Sequence, residues 1–294
     1  MNVMDQATTD RFAMYHGDCV EVLRGLPSQS VDYSVFSPPF ASLYTYSNSP
    51  RDIGNVKSDE EFFHHFGFAI DEMARVMRRG RLVSMHCMLM PTSKERDGYI
   101  GLRDFRGDLI RAFQSCGWIF HSEVVIWKDP VTAMQRTKAL GLLHKTVREN
   151  GSMSRQGIPD YVVTMRAPGD VENRVKHENN TLPVSLWQKY ASPVWMDIDP
   201  SDTLQHRSVR EDEDERHICP LQLEVIRRCV RLWTNPGDVV MSPFAGIGSE
   251  GYVALQEGRR FVGAELKTSY YKQAVANLRE ACSARQADLF AVAP

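Results

Sequence analysis

The chain has 294 residues, of which 43% are apolar, 10% aromatic and 24% charged, which describes a globular protein and excludes a disordered, collagenous or membrane-embedded one. Lys and Arg number 35 against 37 Asp and Glu, so the formal net charge is −2; a histone-like protein that coats nucleic acid by bulk charge is excluded, a local basic groove is not. The six cysteines contain no CxxC pair and the nine histidines show no zinc-ligand spacing, which argues against a disulfide scaffold or a bound metal.

The start, MNVMDQATTDRF, has no basic stretch leading into an apolar core, and no apolar run approaches the roughly 18 residues of a membrane helix. A reducing, cytoplasmic setting without membrane association is expected. No internal repeat or low-complexity tract is found, and the first 128 residues alternate between β-type runs and helical periodicity, the pattern of a layered α/β domain. Strands are predicted over Arg11–His16, Val31–Ser37, Arg81–Cys87 and Ile119–Trp127. Between the second and third, Ser58 and Glu61 stand at capping-box spacing, and Phe62, Phe66, Ile70, Met73 and Met77 recur every three or four residues. A helix is predicted from there to a stop near Arg79-Gly80, its Phe and Met stripe reading as core and His64-His65 as surface.

From about Asp129 to Gln205 the pattern gives way to turn signals, among them Asp129-Pro130, Asn150-Gly151, Pro168-Gly169 and Asp199-Pro200, and reads as an insertion of loops and short elements. The acidic run Glu211 to Glu215 reads as a solvated segment. Order returns at Pro220, a plausible first helical residue, with Leu221, Val225, Ile226, Cys229, Val230 and Trp233 on one face and a stop at Asn235-Pro236-Gly237. A strand over Asp238–Met241, a Gly-rich loop from Ser242 to Gly251, a helix, a strand over Arg260–Glu265 and a helix over Tyr270–Ala281 complete the chain.

Two sites carry chemistry. In the Gly-rich loop, Gly246, Gly248 and Gly251 match GxGxxG between a strand and a helix, where glycines let backbone N–H groups approach a ligand closely. Glu265 follows Gly246 by nineteen residues at the end of the next strand, the position from which a carboxylate accepts hydrogen bonds from both hydroxyls of a ribose. Nicotinamide dinucleotides and S-adenosylmethionine both use such a turn. Only 43 residues follow Gly251, too few for the second half of a dinucleotide fold, so the nucleoside cofactor is favoured and a nicotinamide-dependent oxidoreductase is the competing reading. The second site is Ser37-Pro38-Pro39-Phe40, directly after an apolar strand. Two prolines remove two backbone donors and fix two φ angles, so the carbonyl oxygens of Ser37 and Pro38 stand as rigid acceptors at the carboxyl end of a strand, where open α/β sheets bind ligands.

Through these two sites the sequence resembles the DNA amino-methyltransferases, which methylate the exocyclic nitrogen of cytosine or adenine. That family's signature is a (Ser/Asp/Asn)-Pro-Pro-(Tyr/Phe) tetrapeptide with a Phe-x-Gly-x-Gly loop; this chain has Ser37-Pro-Pro-Phe40 and Phe244-Ala-Gly-Ile-Gly248. The leader His16-Gly-Asp-Cys-Val-Glu-Val-Leu23, the segment Arg75–Gly80 and the lead-in Thr234–Met241 are similar to the family as well. Tetrapeptide first and cofactor loop last is the family's β arrangement.

The resemblance implies an α/β, Rossmann-like methyltransferase fold: a mixed seven-stranded sheet with helices on both faces and an inserted target-recognition region. Residues 1–128 would form the catalytic half, 129–205 the recognition insert and 206–294 the cofactor-binding half. It further implies that Ser37 and Pro38 accept the hydrogens of the target amine, that Pro39 fixes them, and that Phe40 stacks on a base flipped out of the duplex. Phe244, Gly246 and Gly248 would line S-adenosyl-L-methionine, Glu265 its ribose, and Asp18 its adenine or the adjoining wall. Ser242 stands where the family most often has an Asp that meets the methionine ammonium; His217 and Pro220 fall in another cofactor-contacting stretch, with Cys219 replacing the commoner Lys. Double-stranded DNA is the implied partner. Between Val131 and Pro159, Arg136, Lys138, Lys145, Arg148 and Arg155 face one acid, Glu149, a local charge of +4 suited to phosphate contacts. The loop Tyr44 to Arg51 could close over the flipped base, its tyrosines either stacking on it or simply packing. A serine at the first tetrapeptide position resembles the cytosine-N4 enzymes, with adenine N6 as the alternative target. A non-catalytic DNA-binding relative, an RNA or protein substrate, a homodimer and a restriction endonuclease partner are left open.

Overall fold

The computed structural model describes residues 2–39, 58–132, 142–204 and 220–291. Eleven strands are found among them: β1 (Asp5–Thr8), β2 (Phe12–His16), β3 (Val31–Phe36), β4 (Met77–Met88), β5 (Met90–Pro91), β6 (Leu102–Arg103), β7 (Ile119–Ile126), β8 (Asp160–Arg166), β9 (Val194–Trp195), β10 (Val239–Ser242) and β11 (Arg260–Glu265). The helices are α1 (Cys19–Gly25), α2 (Asp59–Val76), α3 (Lys94–Asp97), α4 (Phe105–Ser115), α5 (His144–Glu149), α6 (Val184–Tyr190), α7 (Leu223–Trp233), α8 (Ser249–Gln256) and α9 (Thr268–Ala291).

Nine strands form one sheet in the order β1-β2-β11-β10-β3-β4-β8-β7-β9, and β5 pairs with β6 separately. The expected seven strands are its interior; β1 and β9 extend the two edges. Strands β2, β11, β10, β3 and β4 run parallel, and β8 lies antiparallel to both β4 and β7. The central strands bury both faces, so their residues divide between two cores by the alternation of the pleat. Phe36 and Met241 join the core under α1, α2 and α4, whereas Tyr33, Val35 and Val240 join the one under α7, α8 and α9. Strands from the two ends of the chain meet where β3 pairs with β10, so one sheet is assembled from both halves.

Three expectations are corrected. The helix beginning at the Ser58 cap, whose Oγ accepts from Glu61 N, ends at Val76 rather than near Gly80. Met77 turns extended (φ −70°, ψ 140°) and opens β4; Gly80, at φ +67°, lies in an irregular stretch of that strand where the pairing jumps from Val31–Met77 to Tyr33–Leu82. A Cβ at Gly80 would stand 2.5 Å from Val171 Cγ2, so glycine is required there for space as well as for φ. The region 129–205 holds more than an insertion of loops and short elements: β8 is a nearly buried central strand of the main sheet, built on Val162, Val163 and Met165. It closes the sheet because it pairs along its whole length with β4 and β7, contacts that no local turn signal reveals. Finally, helix α7 starts at Leu223 with Gln222 as its cap, so Pro220 precedes the helix.

Candidate active site

The parallel strands deliver the site residues to one edge of the sheet. Asp18 follows β2, Glu265 ends β11, the Ser242–Gly248 loop leaves β10, and Ser37-Pro38-Pro39 leaves β3. Because β2, β11, β10 and β3 are successive hydrogen-bonded neighbours, these groups stand about 5 Å apart from strand to strand. Parallel pairing of Met241 with Ser34 brings the cofactor loop beside the tetrapeptide. Pro38 is buried and Ser37 and Pro39 are half-buried; Phe40 and the loop Tyr44 to Arg51 lie outside the described residues.

The loop after β10 has the geometry of a nucleoside cradle. Gly246 (φ +52°) and Gly248 (φ +86°) take left-handed conformations that L side chains rarely adopt, and among the described residues no atom lies within 4 Å of a Cβ placed on Gly246. Gly248 caps α8, so the first N–H groups of that helix open toward the loop. Glu265 Oε2 accepts from Gly246 N at 2.8 Å and Oε1 from Lys267 N at 2.8 Å. Both carboxylate oxygens of Glu265 thus face backbone N–H groups, one in the loop and one just after β11. Phe244 packs 5.7 Å from the Phe36 ring and 6.0 Å from Phe66, closing the pocket wall on the tetrapeptide side. Asp18 caps α1 through Oδ1, which accepts from Val20 N and Glu21 N, and Gly17 N donates to the Glu265 carbonyl, so Asp18 is held beside the end of β11. These residues fit an adenosyl group: a flat wall, carboxylates at two neighbouring strand ends, and glycines that leave room for the ligand.

Ser242 is fully buried, and its Oγ has no hydrogen-bond partner among the described residues. Eight residues on, Glu250 is 4% exposed, and burial, together with the charge of Glu265, pushes its carboxyl up to about 8. Glu250 stands on the first turn of α8, directly after the loop.

Sequence reasoning missed a second layer behind the tetrapeptide. Ser37 Oγ lies 3.1 Å from His86 Nδ1, and His86 Nε2 lies 3.1 Å from Asp160 Oδ2. The other oxygen, Asp160 Oδ1, receives Lys128 Nζ at 2.5 Å. Burial opposes ionisation of Asp160, but His86 and Lys128 outweigh it and hold the carboxyl below its ordinary range. The signal available in the sequence was a polar His near the carboxyl end of an apolar strand, and an Asp opening the Tyr-Val-Val run of β8. Only the pairing of β4 with β8 brings the two together.

Of the candidate phosphate contacts, Lys145 and Arg148 are exposed on α5 and Arg155 is half-buried; Lys145 Nζ stands 3.7 Å from Glu149. Arg136, Lys138, His217 and Cys219 lie outside the described residues. No group of three or more His, Cys, Asp or Glu side chains among the described residues could hold a metal ion, and none of the helices there is long and apolar enough to cross a membrane.

Residues 31–276 match the N6_N4_Mtase family model, described as DNA methylase. Among curated proteins, the chain is 24% identical over 268 residues to the DNA adenine methyltransferase YhdJ of Escherichia coli, covering 90% of this chain and 81% of that one. It is 26% identical over 293 residues to the type II methyltransferase M.XycI of Xanthomonas campestris pv. cyanopsidis, covering 90% and 87%. Among solved structures, the Thermus thermophilus protein TTHA0409 in complex with S-adenosyl-L-methionine shares the fold with a TM-score of 0.69 at 22% identity, covering 93% and 95%. The cytosine-N4-specific PvuII DNA methyltransferase does so at 0.67 and 17% identity, covering 94% and 90%. With the family model matched across most of its length, and both motif sites at one edge of the sheet, this chain belongs to the S-adenosylmethionine-dependent N6/N4 DNA methylase family.

Proposed function

We propose that this protein transfers a methyl group to the exocyclic amine of a base flipped out of double-stranded DNA, and that the base is cytosine, methylated at N4. The observation that carries this reading is the pairing of β3 with β10, which sets the Ser37 and Pro38 acceptors one strand spacing from the cofactor loop. S-adenosyl-L-methionine, when bound, supplies an electrophilic methyl group on a sulfonium. The task left to the protein is to localise the amine lone pair, which is otherwise delocalised into the ring. Acceptors at Ser37 and the Pro38 carbonyl take the two amine hydrogens and draw the nitrogen toward tetrahedral geometry. Prolines at 38 and 39 fix those acceptors before the base arrives. Phe40 stacks on the extruded base, and Lys145, Arg148 and Arg155, with Arg136 and Lys138, contact phosphates from the region 129–159.

The serine at position 37 supports cytosine over adenine, since its hydroxyl replaces the carboxylate or amide common in adenine enzymes. Adenine N6 is the second reading, supported by the similarity to YhdJ. Incubation of the purified chain with tritiated S-adenosyl-L-methionine and mixed-sequence DNA, followed by nucleoside mass spectrometry, is expected to yield N4-methylcytosine. N6-methyladenine would reverse the base assignment, and unlabelled DNA of every sequence tried would remove the catalytic reading.

A further inference from the structure

We propose that His86 and Asp160 form a proton relay behind Ser37, making the serine a pure acceptor toward the target amine and then removing the proton that methylation leaves in excess; this rests on the function proposed above. The chain of contacts runs from the tetrapeptide to the interior: Ser37 Oγ to His86 Nδ1 at 3.1 Å, and His86 Nε2 to Asp160 Oδ2 at 3.1 Å. His86 is 13% exposed and Asp160 4%, so water competes little for either contact.

The neighbours fix the imidazole tautomer. An anionic carboxylate beside Nε2 favours the proton on that nitrogen, which leaves Nδ1 with a lone pair. The only proton available to that lone pair from Ser37 is its hydroxyl hydrogen, so Ser37 donates to His86 and turns its own lone pairs toward the site. A free serine hydroxyl could as well donate to the substrate nitrogen and occupy the lone pair that must attack. Committing its hydrogen to His86 removes that unproductive arrangement. The Nε2 contact has ion-pair distance without the alignment of a hydrogen bond, so it strengthens when the ring becomes cationic.

The proton accounting closes without another reagent. An amine that has accepted a methyl group carries one positive charge and one proton more than the product. That proton passes to Ser37 Oγ while the hydroxyl proton passes to His86 Nδ1, and the positive charge moves to the imidazole beside Asp160. Asp160 stays ionised, anchored at Oδ1 by Lys128, and the imidazolium returns its proton to water as the product leaves.

The test uses the purified full chain. His86→Ala is expected to slow single-turnover methyl transfer about 10²-fold, with S-adenosylhomocysteine affinity changed less than about threefold. In a Ser37→Ala background the same substitution should cost little further, because His86 acts through Ser37. His86→Asn, whose amide oxygen falls near the former Nδ1, should recover more activity than His86→Gln, whose amide reaches toward Asp160 instead. A wild-type rate in His86→Ala, additive losses in the double variant, or Gln equal to Asn would overturn the relay. The Asn and Gln comparison decides the matter should the Ala variant not fold. Nitrogen-15 chemical shifts of His86 supply a readout that needs no DNA: a protonated Nε2 is expected, and a protonated Nδ1 overturns the relay. If no DNA is labelled but that signature is present, the function reading fails while the relay geometry stands.

Discussion

Glu250 has the least favourable surroundings of the carboxyl groups near the cofactor loop. It is 4% exposed on the first turn of α8, and its carboxyl is pushed up to about 8, first by burial and then by the charge of Glu265. A group whose folded pKa exceeds its unfolded value of about 4.5 gives its full stabilisation below the unfolded value and loses it as pH rises through the folded one. The melting temperature of the ligand-free chain is therefore expected to fall between about pH 5 and pH 8, and Glu250→Gln should flatten that slope and melt higher at pH 8. Asp160 does not blur the comparison. Its carboxyl lies below the ordinary range, so its contribution is present above about pH 4 and is lost only on further acidification. Calorimetric melts of both proteins across this range check the sign; parallel curves would refute the assignment. The sequence shows Ser242 as a departure from the family pattern, but not that Glu250 is buried. That burial follows from how α8 packs on the sheet, which local spacing does not reveal.

At the scale of elements, what could be read in the sequence was whatever depends on local periodicity. β11 was predicted to the residue, and the buried face of α7 was identified although its start lay three residues later than expected. The end of α2 was not legible, because Met77 is buried whether it closes a helix or opens a strand, and hydrophobic spacing cannot distinguish the two. Strand β8 was obscured by the turn signals on either side, and with it the Asp160 layer of the site. The fit of α8 onto the sheet shows what close packing demands of its sequence. A Cβ at Gly251 would stand 2.5 Å from both Leu278 Cδ2 and Phe261 Cδ1. Gly→Ala inside a helix normally stabilises by about 1 kcal/mol. Overpacking against a ring wedged between strand and helix costs about 1–3 kcal/mol, so the clash wins. Gly251→Ala should lower the urea midpoint with little change in slope; a rise in midpoint would mean that Phe261 and Leu278 move aside.

On the scale of the whole molecule, the net charge of −2 conceals a +4 stretch between Val131 and Pro159, and the length of 294 residues conceals two halves that do not fold side by side. Their junction is polar as well as hydrogen-bonded in the sheet. Arg81 on β4 is 3% exposed; its Nε donates to the Asp32 carbonyl at 2.7 Å, and its other nitrogens reach the carbonyls of Asn173 and Trp233 and the carboxylate of Asp238. Asp32 in turn accepts from Val239 N at 2.9 Å and pairs with Arg78 at 3.0 Å. This network ties the amino ends of β3 and β4 to the strand that leads into the cofactor loop. Removing one partner of a buried pair leaves the other charge uncompensated, at a cost of about 3–5 kcal/mol. Arg81→Ala is accordingly expected to destabilise the chain by an amount in that range. The form of the transition carries more information than its size. Two serial domains would unfold in two steps, with Arg81→Ala moving the one that contains β4. A sheet in which β3 and β10 are neighbours has no such division, so urea denaturation followed by both tryptophan fluorescence and far-ultraviolet circular dichroism should give one coincident transition that moves as a whole. Separate transitions, only one of them displaced by Arg81→Ala, would show that the two halves fold independently despite sharing strands.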